Sequence, residues 1–96
     1  MLRIAIVDDE LFYIKLIKSI TEDFFEEKHK QISINTFTSG EALLSDSICY
    51  DLIFLDVQMN GINGIETAQR LRVKNKKVSL IYITSYQDYI KKSMTI

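Results

Sequence analysis

The sequence predicts a doubly wound α/β fold, because short apolar runs rich in β-branched residues alternate with amphipathic segments along the chain. Four such runs occur, at residues 2–7, 32–37, 52–55 and 80–83. The connections between them are short, so we expect parallel strands joined by right-handed crossovers, with helices on both faces of the sheet. The 96 residues, 47% of them apolar, are enough for one domain with a modest core.

The first half of the chain predicts two strands around one helix. Only Arg3 interrupts the apolar run at 2–7, which is typical of a strand covered on both faces. The segment at 32–37 alternates apolar and polar residues, as a strand near the sheet edge does. Between them, apolar residues at three- and four-residue steps predict the core-facing side of an amphipathic helix. These residues are Tyr13, Leu16, Ile17, Ile20 and Phe24.

The second half continues the alternation of strands and helices. The run at 52–55 is apolar throughout and predicts a buried strand. The predicted elements are, in order, a short helix at "SGEALL", the strand at 52–55, a helix after Gly64 marked by Ile65, Ala68 and Leu71, a strand at 80–83, and a last helix that begins near Gln87 or Asp88.

Composition and charge exclude several classes of protein. The net charge of −1 indicates no surface that could neutralise many phosphates, so these 96 residues are not expected to bind nucleic acid. The longest apolar runs are four residues, whereas a membrane-spanning helix needs about 20. The single cysteine, Cys49, excludes an internal disulfide and is expected to be buried beside the third strand. We therefore expect a cytoplasmic protein without a membrane partner.

Polar side chains follow three of the four predicted strands. Asp8 and Asp9 follow the first strand, and Asp56 follows the third. Thr84 and Ser85 follow the fourth. The carboxyl ends of parallel strands meet at one edge of the sheet, and ligands bind there where the strand order reverses. If the first and third strands are neighbours, as in the order 2-1-3-4, the three carboxylates lie close together.

Three neighbouring carboxylates repel one another unless a cation lies between them. Oxygen ligands without thiolates or a nearby histidine indicate Mg²⁺. A carboxylate supported by such a metal can accept a phosphoryl group, and Asp56 has the surroundings for that role. The hydroxyl of Thr84, or that of Ser85, is placed to donate a hydrogen bond to a phosphoryl oxygen.

Simpler roles for the same residues stay open. Asp8 or Asp9 can cap the first helix, and Thr84 and Ser85 can cap the last one. Asp56 can act only as a turn former before the glycine-containing segment. The joint placement of these residues at one edge favours the metal site.

Three motifs resemble the receiver domain of bacterial two-component response regulators. They are "IVDDE", "LIFLDVQMNGINGIE" and "LIYITSY". In more detail, "FLDVQM", "GINGIETAQRLR" and "TSYQDYIKKSM" are similar to receivers of LytTR-type regulators, the group that includes quorum-sensing and competence regulators. The resemblance covers essentially all 96 residues and implies the flavodoxin-like receiver fold with strand order 2-1-3-4.

The resemblance implies a role for each acid of the predicted site. Asp56 takes the position of the phosphoacceptor. Asp9 takes that of a direct Mg²⁺ ligand, and Asp8 that of a ligand through water or directly. The backbone carbonyl of Gln58 corresponds to a further Mg²⁺ ligand, and its side chain to the group that modulates hydrolysis of the aspartyl phosphate.

The resemblance also extends to the fourth strand and shows two departures. Thr84 corresponds to the signalling hydroxyl, and Ser85 to a backbone contact beside the phosphoryl group. Asn60 stands where the family usually has proline. The family's domain continues through a fifth strand, which ends in a phosphate-binding lysine, and a fifth helix, so we expect residues 1–96 to be a receiver domain that is incomplete at its C-terminus.

The function implied is that of a phosphoacceptor switch in a two-component phosphorelay. A sensor histidine kinase would donate the phosphoryl group to Asp56, with Mg²⁺ as cofactor. The output is expected to be transcriptional, with DNA contacted only through a LytTR domain outside this chain, and a homodimer is possible. Such a domain is a signalling protein rather than an enzyme, with self-phosphorylation and slow self-dephosphorylation at most.

The same residues leave two other functions open. The first is an unphosphorylated interaction module whose chemistry is lost together with the lysine. The second is a Mg²⁺-dependent phosphohydrolase of the haloacid dehalogenase type. Such enzymes carry acids two residues apart after the first strand, whereas Asp8 and Asp9 are adjacent.

Overall fold

The computed structural model of the protein describes residues 1–83, in which strands and helices alternate. The elements are β1 (Leu2–Val7), α1 (Leu11–Glu27), β2 (Ile32–Phe37), α2 (Gly40–Ser45), β3 (Leu52–Asp56), α3 (Gly64–Lys74) and β4 (Ser79–Ile83). The strands form one sheet in the order β2-β1-β3-β4, and every pairing is parallel. The predicted fold class and strand order are confirmed.

The two central strands, β1 and β3, carry the core. Residues 4–7 of β1 are fully buried, as expected for an uninterrupted apolar run covered on both faces. On one face of the sheet, a buried cluster joins the strands to α2 and α3. Its members are Ala5, Val7, Leu43, Tyr50, Ile53, Leu55, Ala68 and Val78.

The starts of α2 and α3 are encoded locally. The Ser39 side chain accepts a hydrogen bond from the Ala42 amide at 3.1 Å, and α2 begins directly after Ser39, at Gly40. The Asn63 side chain accepts one from the Glu66 amide at 2.8 Å and starts α3 in the same way. Such caps satisfy amide groups that have no partner within the helix.

Helix α1 packs on the opposite face of the sheet, and its predicted core-facing side is only partly correct. The buried residues are Ile14 and Thr21, and the Thr21 hydroxyl donates to the Ile17 carbonyl at 2.7 Å. Leu16, Ile20 and Phe24 are instead 46%, 59% and 52% exposed. Within residues 1–83, the apolar side of α1 is thus wider than the surface that covers it.

Tyr50, rather than Cys49, fills the interior before β3. Its ring is buried in the core, and its hydroxyl donates to Asp46 at 2.9 Å and accepts from Asn35 at 2.8 Å. Cys49 is exposed, so the expectation that it is buried is wrong. Of these two adjacent residues, the one with the larger side chain takes the inner side.

Some predictions fall outside the part of the chain that the structure describes. Thr84, Ser85 and the last helix, expected from Gln87 or Asp88, belong to this group. Within residues 1–83, none of the helices combines the length and the apolar character needed to cross a membrane.

Candidate functional site

The neighbouring positions of β1 and β3 bring three acids together. Val7 pairs with Leu55, so the residues that follow, Asp8 and Asp56, lie side by side at the carboxyl edge of the sheet. Asp8, Asp9 and Asp56 each offer a carboxylate oxygen, and these oxygens lie within 4.8 Å of one another. Asp8 and Asp56 are only 2% and 7% exposed, whereas Asp9 is more open to solvent.

This environment changes the proton affinity of Asp56. Burial, followed by the negative charge of Asp8, raises the pKa of Asp56 to about 7. The amide of Gln58, which donates to Asp56, opposes the shift but does not cancel it. The ionised form of the cluster is therefore disfavoured without a cation nearby, which is the condition that favours metal binding.

A backbone amide orients each of the three carboxylates. The bonds run from Glu10 to Asp8 at 2.9 Å, from Gln58 to Asp56 at 3.3 Å and from Asn60 to Asp9 at 3.2 Å. Three oxygen donors at this spacing suit a hard divalent cation such as Mg²⁺, which is usually held by one or two carboxylates together with phosphate oxygens. The donor set thus fits the predicted metal.

The simpler roles account for only part of this geometry. Glu10 occupies the N-cap position of α1, and its side chain makes no cap hydrogen bond. The Asp8 carboxylate accepts a hydrogen bond from the backbone amide of Glu10, two residues later in the chain. Asp56 does form a turn of the predicted kind with the Gln58 amide, while it also faces the other two acids.

The β3–α3 loop, residues 57–63, turns the chain sharply beside the acids. The Gly64 amide donates back to the Val57 carbonyl at 2.9 Å. A Cβ on Gly64 would collide with the Asp56 carbonyl oxygen, so a glycine is required where α3 begins. Met59 packs against the core while Gln58 is exposed, which leaves the Gln58 side chain at the surface beside the site.

One contact to this loop was not predicted from the sequence. The Glu41 carboxylate, in the first turn of α2, accepts a hydrogen bond from the Ile62 amide at 3.3 Å. Glu41 and Ile62 are 21 residues apart, and neither stands in a pattern that signals the contact. Only the packing of α2 beside the loop brings them together.

The fold and the acidic edge define a class: a doubly wound domain whose candidate site is a carboxylate cluster at the carboxyl ends of its central strands. The family model described as "Response regulator receiver domain" matches residues 4–96. The chain belongs to this family.

Curated relatives agree with this assignment. The sensory transduction protein LytT of Bacillus subtilis is 29% identical over 98 residues, which cover 100% of this chain and 39% of LytT. LytT of Oceanobacillus iheyensis is 30% identical over 92 residues, which cover 92% of this chain and 36% of that protein. The chain therefore spans less than half the length of these relatives.

Solved structures show the same fold. The response regulator protein TrrA from Thermotoga maritima, crystallised in complex with Mg²⁺-BeF, is 40% identical, with a TM-score of 0.75 over 93% of this chain and 74% of that one. TrrA in complex with the histidine kinase ThkA supplies a second similar structure, 29% identical with a TM-score of 0.68. That match covers 99% of this chain and 97% of the other.

Proposed function

We propose that this receiver domain accepts a phosphoryl group on Asp56 from a partner sensor histidine kinase, with Mg²⁺ as cofactor. The observation that carries the proposal is the convergence of three carboxylate oxygens within 4.8 Å around a buried Asp56. The similar protein TrrA has been crystallised both with Mg²⁺-BeF and with a histidine kinase, which supports the same kind of ligand and partner here.

Asp8, Asp9, Asp56 and the backbone carbonyl of Gln58 would hold the Mg²⁺. When bound, the ion neutralises the charge that develops on the transferring phosphoryl oxygens. One oxygen of Asp56 accepts the Gln58 amide, which orients the carboxylate so that the other oxygen can attack phosphorus. A new oxygen–phosphorus bond forms as the bond between phosphorus and the donor imidazole nitrogen breaks.

Asp56 must be ionised to act as the nucleophile. Its raised pKa means that part of the metal-free protein carries a proton there near neutral pH. A cation that favours the carboxylate form therefore also favours the reactive form. We assign the signalling hydroxyl to Thr84, the backbone contact beside the phosphoryl group to Ser85, and control of hydrolysis to the Gln58 side chain.

The proposal extends to the output that the phosphorylated domain controls. The similarity to LytT, of which this chain covers 39%, supports a longer regulator in which residues 1–96 form the receiver domain. We propose a transcriptional output through a LytTR-type DNA-binding domain outside this chain, action in the cytoplasm, and a homodimer as a possible signalling form. The domain itself acts as a switch rather than as an enzyme.

Incubation with acetyl phosphate and Mg²⁺ tests the central proposal. We expect intact-mass measurement to show the addition of one phosphoryl group to the wild-type protein, and none to Asp56→Asn. Omission of Mg²⁺ should also abolish labelling. Equal labelling of the wild type and Asp56→Asn would contradict the assignment of Asp56.

An unphosphorylated interaction module is the second candidate. Lys74, Lys76 and Lys77 lie at the end of α3 and in the connection to β4, at the opposite edge of the sheet from the acids. None of these three lysines is therefore placed to contact a phosphoryl group on Asp56. Mg²⁺ binding without labelling would favour this candidate.

A further inference from the structure

The β3–α3 loop is tied to three carboxylates through alternate backbone amides. Gln58 donates to Asp56, and Asn60 donates to Asp9. The amide of Ile62, the next alternate residue, donates to Glu41 at 3.3 Å. The first two acceptors belong to the acid site, whereas the third belongs to α2. The loop is thus fixed at its far end by an acid outside the cluster.

Glu41 also contacts the tightest turn of the loop. Gly61 has a φ of 80°, in the left-handed region that favours glycine. A Cβ at this position would collide with the Glu41 carboxylate. The carboxylate therefore lies directly against the backbone of Gly61 while it accepts the Ile62 amide, so that two consecutive residues of the loop rest on one side chain.

Helix α2 has no evident need of this carboxylate for its own fold. Its N-cap is the Ser39 side chain, and within residues 1–83 the Glu41 carboxylate forms no ion pair. As a first-turn acid Glu41 can favour the helix only modestly. The direction of the carboxylate, towards the loop, indicates a role there.

We propose that Glu41 is a positioning residue for the acid site. By holding Gly61 and Ile62, it keeps the Asn60 amide on Asp9 and the Gln58 amide on Asp56, and so orients two carboxylates for a divalent cation. This role for Glu41 rests on the proposed function, because it assumes that the cation bound at the acid site is Mg²⁺. Loss of an interaction that orients a metal ligand typically lowers metal affinity by about 10- to 100-fold. Because Glu41 acts on the ligands only through the loop, we expect its loss to lower Mg²⁺ affinity by about tenfold, the smaller of these effects.

Two substitutions of Glu41 separate contact from charge. Glu41→Asp keeps the charge but withdraws the carboxylate by one methylene, so we expect it to weaken Mg²⁺ binding by about tenfold. Glu41→Gln removes the charge but keeps an oxygen that accepts the Ile62 amide, so its dissociation constant should stay within about twofold of the wild-type value. Glu66→Ala is the matched control, because Glu66 is the first-turn acid of α3 and pairs with Arg70.

The measurement is a calorimetric Mg²⁺ titration of the four proteins, combined with amide hydrogen exchange in the metal-free state. We expect Glu41→Asp to speed exchange at Ile62 and Asn60, and Glu41→Gln and Glu66→Ala to leave it unchanged. Wild-type Mg²⁺ affinity in Glu41→Asp would overturn the proposal, whatever its exchange rates. So would loss of affinity in Glu41→Gln alone, because that would be an effect of charge.

The same data keep the two proposals apart. If the wild-type protein itself binds no Mg²⁺, the proposed function fails. The exchange rates of the metal-free proteins then still decide whether Glu41 fixes the loop. If the wild type binds Mg²⁺ and all variants bind it equally, only the role of Glu41 fails.

Discussion

Asp56 combines features that are unfavourable in a resting protein. It is buried, it lies beside Asp8, and its pKa is raised to about 7 by burial and by that neighbouring charge. A carboxylate placed for stability alone would be exposed or paired with a cation. The position of Asp56 is better explained by a ligand that binds there, because a divalent cation would offset both costs.

The raised pKa of Asp56 predicts how the stability of the metal-free protein depends on pH. The folded protein retains the proton up to about pH 7, whereas the unfolded chain releases it near the ordinary value of 3.8. The folded state binds more protons between these values, so its stability should fall as the pH rises from about 4 to 7. Urea denaturation at several pH values, with a chelator present to keep the protein free of metal, measures this change in the free energy of unfolding.

Asp56→Asn is the control for the pH dependence. Asparagine has a similar shape but does not titrate, so the variant should lose less stability over the same interval and be the more stable protein near pH 8. Parallel pH profiles for the wild type and the variant would show that Asp56 does not have the raised pKa.

The helices differ in how their starts are determined. Helices α2 and α3 begin at side-chain caps, Ser39 and Asn63. Helix α1 begins after Glu10, which makes no side-chain cap. Just before this helix, the Asp8 carboxylate accepts the Glu10 amide at 2.9 Å. The chain segment that leads into α1 thus contacts a residue of the acid site.

Ser39→Ala tests the contribution of the α2 cap. The substitution leaves the Ala42 amide without its side-chain acceptor and should lower the free energy of unfolding by about 1 kcal/mol. Ser19→Ala is the matched control, since Ser19 is exposed within α1, where alanine favours the helix. Chemical denaturation compares the two, and an equal loss in both would argue against the cap.

At the scale of the whole molecule, the two faces of the sheet are covered unequally in residues 1–83. One face packs against α2 and α3, and its residues are buried. On the other face, Ile20 and Phe24 of α1 border an apolar groove with Phe54 and Ile81. The acid site lies at the carboxyl edge of the buried central strands, so its geometry is held by the best-packed part of the molecule.

Because the proposed metal ligands come from separate parts of the fold, Mg²⁺ should stabilise the whole domain. A ligand that binds only the folded state adds RT ln(1 + [L]/Kd), or about 1.4 kcal/mol for each tenfold increase in Mg²⁺ above its dissociation constant. We expect the melting temperature to rise with Mg²⁺ in the wild-type protein and to rise much less in Asp9→Asn. Equal increases in both proteins would place the ion elsewhere.

The sequence by itself determined the alternation of elements and the acids that follow the first and third strands. These features follow from local periodicity and from a general property of parallel sheets, that their carboxyl ends share an edge. Only the tertiary structure decided that Ile14 and Thr21 are the buried residues of α1, that Tyr50 rather than Cys49 fills the core, and that Glu41 accepts the Ile62 amide. Some of these contacts join residues that are distant in the chain, and the others depend on which side of an element packs against its neighbours. The local sequence pattern carries no information on long-range contacts or on packing between elements.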